Sequence, residues 1–541
     1  MRGKIPLLRA GSCDYRWLMP PGYAPVDPRG VPSVLPPGGG ARNWAKILDQ
    51  TRCIGCHACT TACKSENSVP IGVTRTYVKS VDVGMFPNVR RAFQVTRCNQ
   101  CENAPCVAAC PTGAMHQRPD GIVDFDKSIC IGCKACMAAC PYDAIFINPE
   151  DHSAEKCNFC AHRLEVGLEP ACVVVCPTEA IRIGDLGDPA SPVSATVYRQ
   201  PVHVRRPEKE TRPKVFYLGA HKATLDPLGA ERPPGGLYAW AGQGDGHSHV
   251  PSGHPGQHNS QAAAVVSYDV PHRAPWDWRV SLYTWTKGIA AGAYLVPLLM
   301  VLFGQLSWSS TLFRWVGPLV ALGALGATGG LLIWDLEHPE RFYLIFLRHQ
   351  WRSWLVRGAF VIGAYSMVLA AQLLASLIGS VGLSQVLAVF GIPLSLMSAV
   401  YTAYLFAQAK ARDLWQSPLL PPQLVVQALL LGSAVALFAA EALGNHVAGH
   451  DVRMGLGDVA VVDLLFLIGE LALGHVTAHT RLAAEEISWG TYARWFWPGV
   501  ALLAVAVATP LLGPVGAGAA LLGVLLYEHA YVQGGQSVPL A

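Results

Sequence analysis

Sixteen of the seventeen cysteines in this 541-residue chain lie between Cys53 and Cys176, in four groups of four. Groups one and three share the spacing C-x2-C-x2-C-x3-C, whereas the middle gap has four residues in group two and eleven in group four. In order, the groups are Cys53, Cys56, Cys59 and Cys63; Cys98, Cys101, Cys106 and Cys110; Cys130, Cys133, Cys136 and Cys140; and Cys157, Cys160, Cys172 and Cys176. Thiols at such short intervals are typical ligands of a metal centre.

The spacing selects among metal centres. A cubane iron–sulfur cluster needs four thiolates around one small volume; three close cysteines can wrap it, while the fourth ligates a neighbouring cluster. Three groups also end in Cys-Pro, at Pro111, Pro141 and Pro177, as such clusters often do. Sixteen cysteines therefore predict four [4Fe–4S] clusters. The alternatives are structural zinc, for which paired C-x2-C groups are common, and a disulfide framework, which needs an oxidising compartment.

Composition divides the chain into two parts. Only 14% of residues are charged and the mean hydropathy is +0.29, which is unusual for a soluble protein. The net charge of +4 is too small to indicate a nucleic-acid partner. Cysteine is absent after residue 176, and long apolar runs begin at about residue 279. We therefore expect an α+β ferredoxin-like iron–sulfur domain, followed by an all-α polytopic membrane domain.

Four segments are predicted: an N-terminal extension (1–45), a four-cluster domain (46–220), a flexible linker (221–275) and a transmembrane domain (276–541). The extension contains neither an apolar run long enough for an export signal nor a twin-arginine pair, and Cys13 is interpreted as incidental. The linker is rich in Gly, Pro and Ser. It contains four histidines, His247, His249, His254 and His258. These could bind a metal, but the favoured interpretation is that they are scattered residues of a flexible linker without a metal.

Apolar runs of about 20 residues, each long enough to cross a bilayer as a helix, recur after residue 279. Eight are predicted, at about 280–303, 315–334, 354–379, 386–407, 422–442, 457–477, 495–512 and 514–532. The last two are short and share a Pro-Gly break, so that seven spans remain an alternative. The deep parts of the runs are almost free of histidine, which disfavours haem because haem needs axial ligands.

The distribution of basic residues predicts the orientation. Loops on the side of the cluster domain and their adjoining ends carry Arg341, Arg348, Arg352, Arg357, Lys410, Arg412, Arg481 and Arg494. The opposite loops carry Arg314 and Arg453. By the positive-inside rule the clusters face the cytoplasm of a cell whose inner membrane the chain spans.

Ionisable residues within the apolar runs are functional hypotheses by default, because they are costly in lipid. Lys287 lies in the first run, and Asp463 and Glu470 share one face of the sixth. Other ionisable residues near the ends of the apolar runs are Glu441, Glu528 and His529. A proton path is one interpretation; paired charges that lock helices together are the other, and the sequence favours the latter.

Several motifs give the first part a specific resemblance. They are Cys98-Asn99-Gln100-Cys101, Ala104-Pro105-Cys106, Asp120-Gly121-Ile122-Val123, Cys130 to Tyr142, and Lys156-Cys157-Asn158-Phe159-Cys160. Residues 46–220 resemble the four-cluster subunit of complex iron–sulfur molybdoenzymes of the dimethyl sulfoxide and polysulfide reductase type. The resemblance implies that groups one and four exchange their last cysteines, as do groups two and three. The implied ligand sets are Cys53/Cys56/Cys59/Cys176, Cys63/Cys157/Cys160/Cys172, Cys98/Cys101/Cys106/Cys140 and Cys110/Cys130/Cys133/Cys136.

The membrane part resembles the NrfD/polysulfide reductase membrane-anchor family. The motifs are Asp335 to Phe342, Trp351 to Gly358, and Trp285-Thr286-Lys287-Gly288 with Ala290-Ala291-Gly292. Members of that family bind quinone without haem, among the first four spans near the cluster side. The residues that the resemblance places there are Trp278, Lys287, Asp335, His338, Arg341, Tyr401 and Tyr404. For His338 and Arg341, a salt-bridge network with Glu337 or Glu340 is the alternative; for Tyr401 and Tyr404, helix packing is favoured.

Together these patterns predict an electron-transfer and membrane-anchor subunit of a respiratory oxidoreductase. Electrons would pass between a separate catalytic subunit, four [4Fe–4S] clusters and membrane quinone, either menaquinone or ubiquinone. By resemblance, the partner is a molybdenum or tungsten bis-pterin enzyme. The alternatives are the cluster and anchor subunit of a [NiFe] hydrogenase, and a redox-driven proton-translocating module.

Overall fold

The structure is a computed structural model and describes residues 42–84, 87–231, 264–472 and 475–541. Cys13, most of the predicted N-terminal extension and the four linker histidines lie outside these residues. The described part consists of a cysteine-bearing region of strands and short helices, followed by an all-helical region. The predicted fold class, α+β followed by all-α, is therefore confirmed.

The cysteine-bearing region is built on small sheets. Its strands are β1 (Trp44–Asp49), β2 (Thr76–Val83), β3 (Arg90–Arg97), β4 (Met115–Gln117), β5 (Val123–Phe125), β6 (Ile145–Ile147), β7 (Ala154–Lys156), β8 (Ile181–Asp185), β9 (Val202–His203), β10 (Val215–Leu218) and β11 (Ala264–Tyr268). One sheet has the order β8-β1-β10-β9, and a second has the order β11-β2-β3; β4 and β5 pair with each other, as do β6 and β7.

Strand β1 lies at the centre of the four-stranded sheet. It pairs with β10 in parallel and with β8 antiparallel, and all six of its residues are buried. Strand β11 comes from the predicted linker, yet it pairs antiparallel with β2 from Ala264 to Tyr268. The end of that segment is thus part of a sheet.

The helices of this region are short. They are α1 (Ala58–Glu66), α2 (Pro105–Ala109), α3 (Ala135–Ala139), α4 (Ala161–Glu165), α5 (Ala171–Val174), α6 (Pro192–Arg199) and α7 (Lys222–Leu225). Helices α1, α2 and α3 each follow the first two cysteines of a group. In α2 and α3 the third cysteine is helical and the fourth is the C-cap residue. A single helical turn therefore separates the third thiol from the fourth.

Longer helices make up the second region. They are α8 (Trp278–Leu302), α9 (Gly317–Trp334), α10 (Leu344–Leu347), α11 (Trp354–Leu377), α12 (Val381–Ala407), α13 (Leu420–Ala442), α14 (His446–Ala472), α15 (Ala478–Ser488), α16 (Ala493–Val507), α17 (Thr509–Leu512) and α18 (Pro514–Ser537). A π-helical segment, Leu312–Val316, precedes α9.

Within the described residues, six helices are long and apolar enough to cross a membrane: α8, α9 with its π-helical start, α11, α12, α13 and α18. The other two predicted spans fall on α14 and on α16 with α17, and α16 is apolar but shorter. The count of eight therefore stays a prediction, whereas a multi-pass membrane region is established.

Helix α8 is central to this bundle, because 78% of its most apolar window is buried against 28% for α9 and α11. It packs tightly on α13, where a Cβ placed on Gly292 would lie 1.8 Å from the carbonyl oxygen of Ala428. Small residues allow such close backbone approach between membrane helices. Helices α9 and α11 expose much of their surface, as lipid-facing helices do.

The two regions are joined along one end of the bundle. Arg412, in the loop after α12, donates to the carbonyl oxygens of Gln536 and Val538, both at 2.7 Å. From the cysteine-bearing region, Arg205 donates to the backbone carbonyl oxygen of Leu540 at 3.3 Å, and Lys79 donates to that of Ala541 at 3.1 Å. The segment that follows α18 is therefore buried between the two regions.

Candidate functional site

Four cysteine sites can be recognised from the packing of the thiols. Site 4 is a partly open pocket, whose lining includes Cys110, Cys130, Cys133 and Cys136. The fourth cysteine of group two therefore lies with the first three of group three. The loop turns at Gly132, which has φ +67°. There a Cβ would meet Glu337 at 2.4 Å.

Site 1 is a second partly open pocket, whose lining includes Cys53, Cys56, Cys59 and Cys176. Here the first three cysteines of group one lie with the last of group four. Burial raises the pKa of Cys53, and the thiols of Cys176 and Cys56 raise it further. Thiols that raise each other's pKa are closely placed, because two neighbouring thiolates repel.

Site 2 is defined by Cys63, Cys157, Cys160 and Cys172. Burial raises the pKa of Cys63, and the neighbouring thiols of Cys157, Cys172 and Cys160 raise it further. The amide nitrogen of Asn67 lies 3.6 Å from the Cys63 sulfur and 3.8 Å from that of Cys160.

Site 3 is defined by Cys98, Cys101, Cys106 and Cys140. Burial raises the pKa of Cys106; Lys156 lowers it, and the other three thiols raise it. All four side chains are buried. As at the other sites, the fourth cysteine belongs to a different group from the first three.

These sites fit [4Fe–4S] clusters by their donor set and by their shape. Each offers four sulfur ligands, and at sites 1 and 4 the thiols surround a space rather than a point. In the ranges that the structure describes, no three His, Cys, Asp or Glu side chains are arranged to hold a single metal ion. A cluster of four irons and four sulfides is larger than one ion, so its ligands must stand further apart.

Neighbouring sites share short elements. Cys59 of site 1 and Cys63 of site 2 lie one turn apart on α1. Cys98 of site 3 and Cys157 of site 2 belong to one buried core. Helix α2 links site 3 to site 4, because Cys106 is within it and Cys110 is its C-cap. The four sites therefore follow one another in the order 1, 2, 3, 4.

Site 1 faces the surface. Cys56 is exposed. Two apolar neighbours of its ligands are also exposed, Ile54 by 58% and Val175 by 39%. An exposed apolar patch beside a redox site is typical of an interaction surface.

Site 4 faces the membrane region. The Nε1 of Trp276 lies 3.4 Å from the carbonyl oxygen of Cys133, and Gln350 donates to that of Cys110 at 2.5 Å. Ile131 shares a small core with Leu336 of the loop after α9. Backbone carbonyls of the cysteine loops are thus satisfied by side chains from the helical region.

Three of the predicted quinone residues lie at this contact. Lys134 donates to the carboxylate of Asp335 at 3.2 Å, and burial raises the pKa of Asp335 to about 6 although Lys134 lowers it. His338 contacts the carbonyl oxygen of Asp151 at 2.9 Å. The guanidinium of Arg341 donates to the backbone carbonyl oxygen of Cys130 at 3.0 Å. The loop network with Glu340 also forms, since His338 lies 3.0 Å from its carboxylate.

The other four predicted quinone residues divide into two pairs. Inside the bundle, Lys287 donates to Thr402 at 2.7 Å, and its Nζ lies 4.8 Å from the ring centroid of Tyr401. Trp278 and Tyr404 are instead partly exposed; Trp278 meets Trp334 edge-on at 5.7 Å, and Tyr404 stacks on Trp354 at 4.4 Å.

The structure also brings together charged residues that the sequence analysis did not select. His272 lies 2.5 Å from Asp143, three residues after Cys140, and 3.3 Å from Asp269. Burial lowers the pKa of His272, but the two carboxylates outweigh it and raise that pKa to about 9. Lys46 and Arg97 contact Cys172 at site 2. For Lys46, the sequence signal is a lysine between the apolar residues Ala45 and Ile47.

Four clustered thiol sites joined to a multi-pass helical region define an iron–sulfur electron-transfer protein with a membrane anchor. Residues 89–186 match the family described as "4Fe-4S dicluster domain", and residues 267–516 match "Polysulphide reductase, NrfD".

Three relatives match the first part of the sequence. A tetrathionate reductase subunit of Salmonella typhimurium is 45% identical over 195 residues, which are 35% of this chain and 78% of the relative. A polysulfide reductase chain of Wolinella succinogenes is 42% identical over 181 residues, which are 33% of this chain and 95% of the relative. Protein NrfC of Escherichia coli is 42% identical over 176 residues, which are 32% of this chain and 79% of the relative. The present protein belongs to the family of these iron–sulfur electron-transfer subunits and carries an NrfD-type membrane domain after it.

Proposed function

We propose that this chain conducts electrons through four [4Fe–4S] clusters, between a separate catalytic subunit and quinone in the membrane. Sites 1 to 4 would each hold one cluster through their four thiolates. When bound, the clusters supply one-electron redox chemistry. The observation that carries the proposal is the continuous order of the four sites, from a surface patch to the membrane region.

The surface patch beside site 1 is the proposed docking site of the catalytic subunit. Ile54 and Val175 would be covered there, which brings the partner close to Cys56. Two of the relatives are, by name, parts of tetrathionate and polysulfide reductases. By that analogy, and by the resemblance of the cysteine motifs, we infer a molybdenum or tungsten bis-pterin partner.

The proposed quinone site lies in the membrane region close to site 4. Lys287 is a buried ammonium that could donate to a quinone carbonyl oxygen after exchanging its bond to Thr402, with Tyr401 beside it. Asp335, His338 and Arg341 hold the loop between site 4 and the bundle, and Trp278 with Tyr404 would line the approach from lipid. Menaquinone and ubiquinone both suit such a site, because each offers a carbonyl oxygen to a fixed cation.

The proposed location is the inner membrane, with the cysteine sites in the cytoplasm. Arg412 and Lys134, with their contacts to buried backbone, lie on the side of the cysteine-bearing region, and most loop arginines are on that side too. A fusion experiment tests this: a reporter active only in the cytoplasm, joined to the loop between α13 and α14, should be inactive.

Anaerobic purification from the native membrane tests the main proposal. We expect about sixteen irons per chain, four for each site, a co-purifying subunit with molybdenum or tungsten, and reduction of added quinone by the dithionite-reduced chain. Nickel in the partner would favour the hydrogenase alternative. Zinc in place of iron would contradict electron transfer altogether.

A second candidate function is proton translocation. Both carboxylate oxygens of Asp463 are buried on α14, where Gln427 of α13 is the neighbouring polar side chain. On the same helix face, Glu470 accepts from Tyr527 at 3.0 Å, and Gln423 donates to Tyr527 at 2.9 Å. Glu528 accepts from Thr284 at 2.9 Å, on the helix that carries Lys287. A carboxyl buried inside a membrane bundle is expensive, and a role in proton transfer explains why it is there.

A further inference from the structure

Two buried cations contact one thiol of site 2. The Nζ of Lys46 lies 3.4 Å from the sulfur of Cys172, and the guanidinium of Arg97 donates to the same sulfur at 3.3 Å. Lys46 is 0% exposed and Arg97 is 1% exposed. Both therefore hold their charge away from solvent and contact the same sulfur; the charge of Lys46 also acts on Cys160 of site 2, and that of Arg97 on Cys59 of site 1.

Neither cation has a carboxylate partner in the part of the chain that the structure describes. Apart from Cys172, Lys46 contacts the ring of Phe159, with its Nζ 4.6 Å from the centroid. The Nε and one terminal nitrogen of Arg97 have no hydrogen-bond partner among the described residues. Because an uncompensated buried charge is strongly destabilising, these cations need the negative charge of the thiolates and of what they bind.

The backbone fixes both positions. Lys46 is in β1, between β8 and β10, where its neighbours Ala45 and Ile47 are fully buried. Arg97 is the last residue of β3 and directly precedes Cys98. The two sheets therefore fix the backbone of both residues beside site 2.

The other sites are supplied differently. Their thiolates accept mainly from backbone N–H groups: Met115 to Cys110 at 3.3 Å, Ala154 to Cys130 at 3.4 Å and Gln100 to Cys98 at 3.5 Å. Lys156 is near site 3, but its ammonium donates to the backbone carbonyls of Val123 and Cys157 instead of to a thiol.

We propose that Lys46 and Arg97 give the cluster at site 2 the highest reduction potential of the four, so that an electron rests there between the partner and the membrane. The inference rests on the proposed function, since it presumes that site 2 holds a cluster. Reduction adds one electron and no bond is made or broken; the electron comes from a neighbouring site. Nearby positive charge and hydrogen bonds to sulfur both favour the more negative, reduced state.

The test is a redox titration of the full chain, purified anaerobically in detergent and followed by electron paramagnetic resonance. In Lys46→Met, the most positive of the four midpoint potentials should fall while the other three stay within error. In Arg97→Gln the same potential should fall most, because the charge of Arg97 also acts on Cys59 of site 1. We expect each variant to disfavour reduction at least tenfold, which is about 59 mV for one electron. Lys46→Arg should restore the wild-type value.

Arg91→Gln is the matched control, because it removes an arginine from the same strand where the side chain is exposed and pairs with Asp82. Its four potentials should equal those of the wild type. Cys172→Ser provides a second measurement that does not depend on the buried cations. It should alter the signal with the most positive potential.

The outcomes separate the two proposals. An iron content far below sixteen per wild-type chain contradicts the proposed function itself. Full iron with unchanged potentials in Lys46→Met and Arg97→Gln overturns the inference alone. So does a Cys172→Ser variant in which the most positive signal is untouched, and this result remains decisive if the neutral variants lose iron.

Discussion

The ammonium of Lys134 lies 3.2 Å from the carboxylate of Asp335 and donates to its backbone carbonyl at 2.9 Å. Lys134 directly follows Cys133 of site 4, and Asp335 directly follows α9 of the membrane region. This pair therefore joins the last cysteine site to the bundle at the point where electrons would cross from one to the other.

The close approach at the neighbouring Gly132 predicts that a methyl group will separate the two regions. Gly132→Ala places a Cβ 2.4 Å from the Cβ of Glu337. We expect unchanged iron content but at least tenfold slower quinone reduction by the dithionite-reduced chain, because transfer depends on contact at site 4. Gly113→Ala is the control: it has a similar φ of +71° with open space around it. Equal rates in the two variants would refute the contact argument.

Lys287→Met tests the proposed quinone contact. The variant removes a buried ammonium that is bonded to Thr402 and to the carbonyl oxygen of Ala399. A hydrogen bond from a charged group contributes about 1.5–3 kcal/mol, so quinone reduction should fall about ten- to a hundredfold. The clusters should still be reduced by dithionite. Lys410→Met, which changes an exposed lysine in the loop after α12, should leave the rate unchanged.

His272 predicts a pH-dependent stability. Its pKa is raised from 6.5 to about 9 in the folded protein. The stabilisation is therefore complete below pH 6.5 and is lost as the pH rises through 9. The shift corresponds to about 3 kcal/mol. Thermal unfolding should show the largest difference between the wild type and His272→Gln near pH 6, and almost none above pH 9.

His203→Gln is the control for that titration, since His203 is exposed on β9. It should follow the wild type at every pH. A His272→Gln difference that grows toward high pH would have the wrong sign and would show that the two carboxylates do not stabilise the protonated ring.

Asp463→Asn distinguishes electron transfer from proton translocation. With the chain in sealed vesicles, the variant should abolish quinone-driven proton release but keep most of the quinone reduction rate, because the proposed quinone contact Lys287 bonds to α12, whereas Asp463 is on α14. Asp458→Asn changes an exposed carboxylate on the same helix and should retain both activities. Normal proton release in Asp463→Asn would leave helix packing as the role of this buried carboxyl.

Docking of the catalytic partner should depend on the apolar patch at site 1. Replacing Ile54 and Val175 together by glutamate places two charges beside the proposed interface. We expect the amount of co-purifying partner to fall at least tenfold, whereas the iron content of the chain should stay complete. Tyr198→Glu changes a side chain that is 78% exposed on α6 and should retain the partner. Retention of the partner in both variants would move the interface elsewhere.

The sequence predicted the parts of this protein that depend on spacing. The x2 and x3 intervals around Cys133 and Cys140 indicated cluster loops because ligand geometry leaves little freedom there. Apolar runs indicated membrane helices because the thickness of the bilayer fixes the length of a span, although α14 and α16 are less clear-cut by composition. Residues that matter through contacts between distant segments could not be predicted from the sequence. Lys46 beside Cys172 and His272 beside Asp143 are examples. Asp335 was selected by resemblance, but its pairing with Lys134 became visible only in three dimensions.

The exchange of fourth cysteines constrains how the protein is made. Cys53 and Cys176 line the same pocket although they lie at opposite ends of the cysteine-rich part of the sequence. The first group to leave the ribosome therefore cannot complete its site until the last group has been translated. Iron loading must wait for nearly the whole region, and during that wait the early thiols are open to oxygen.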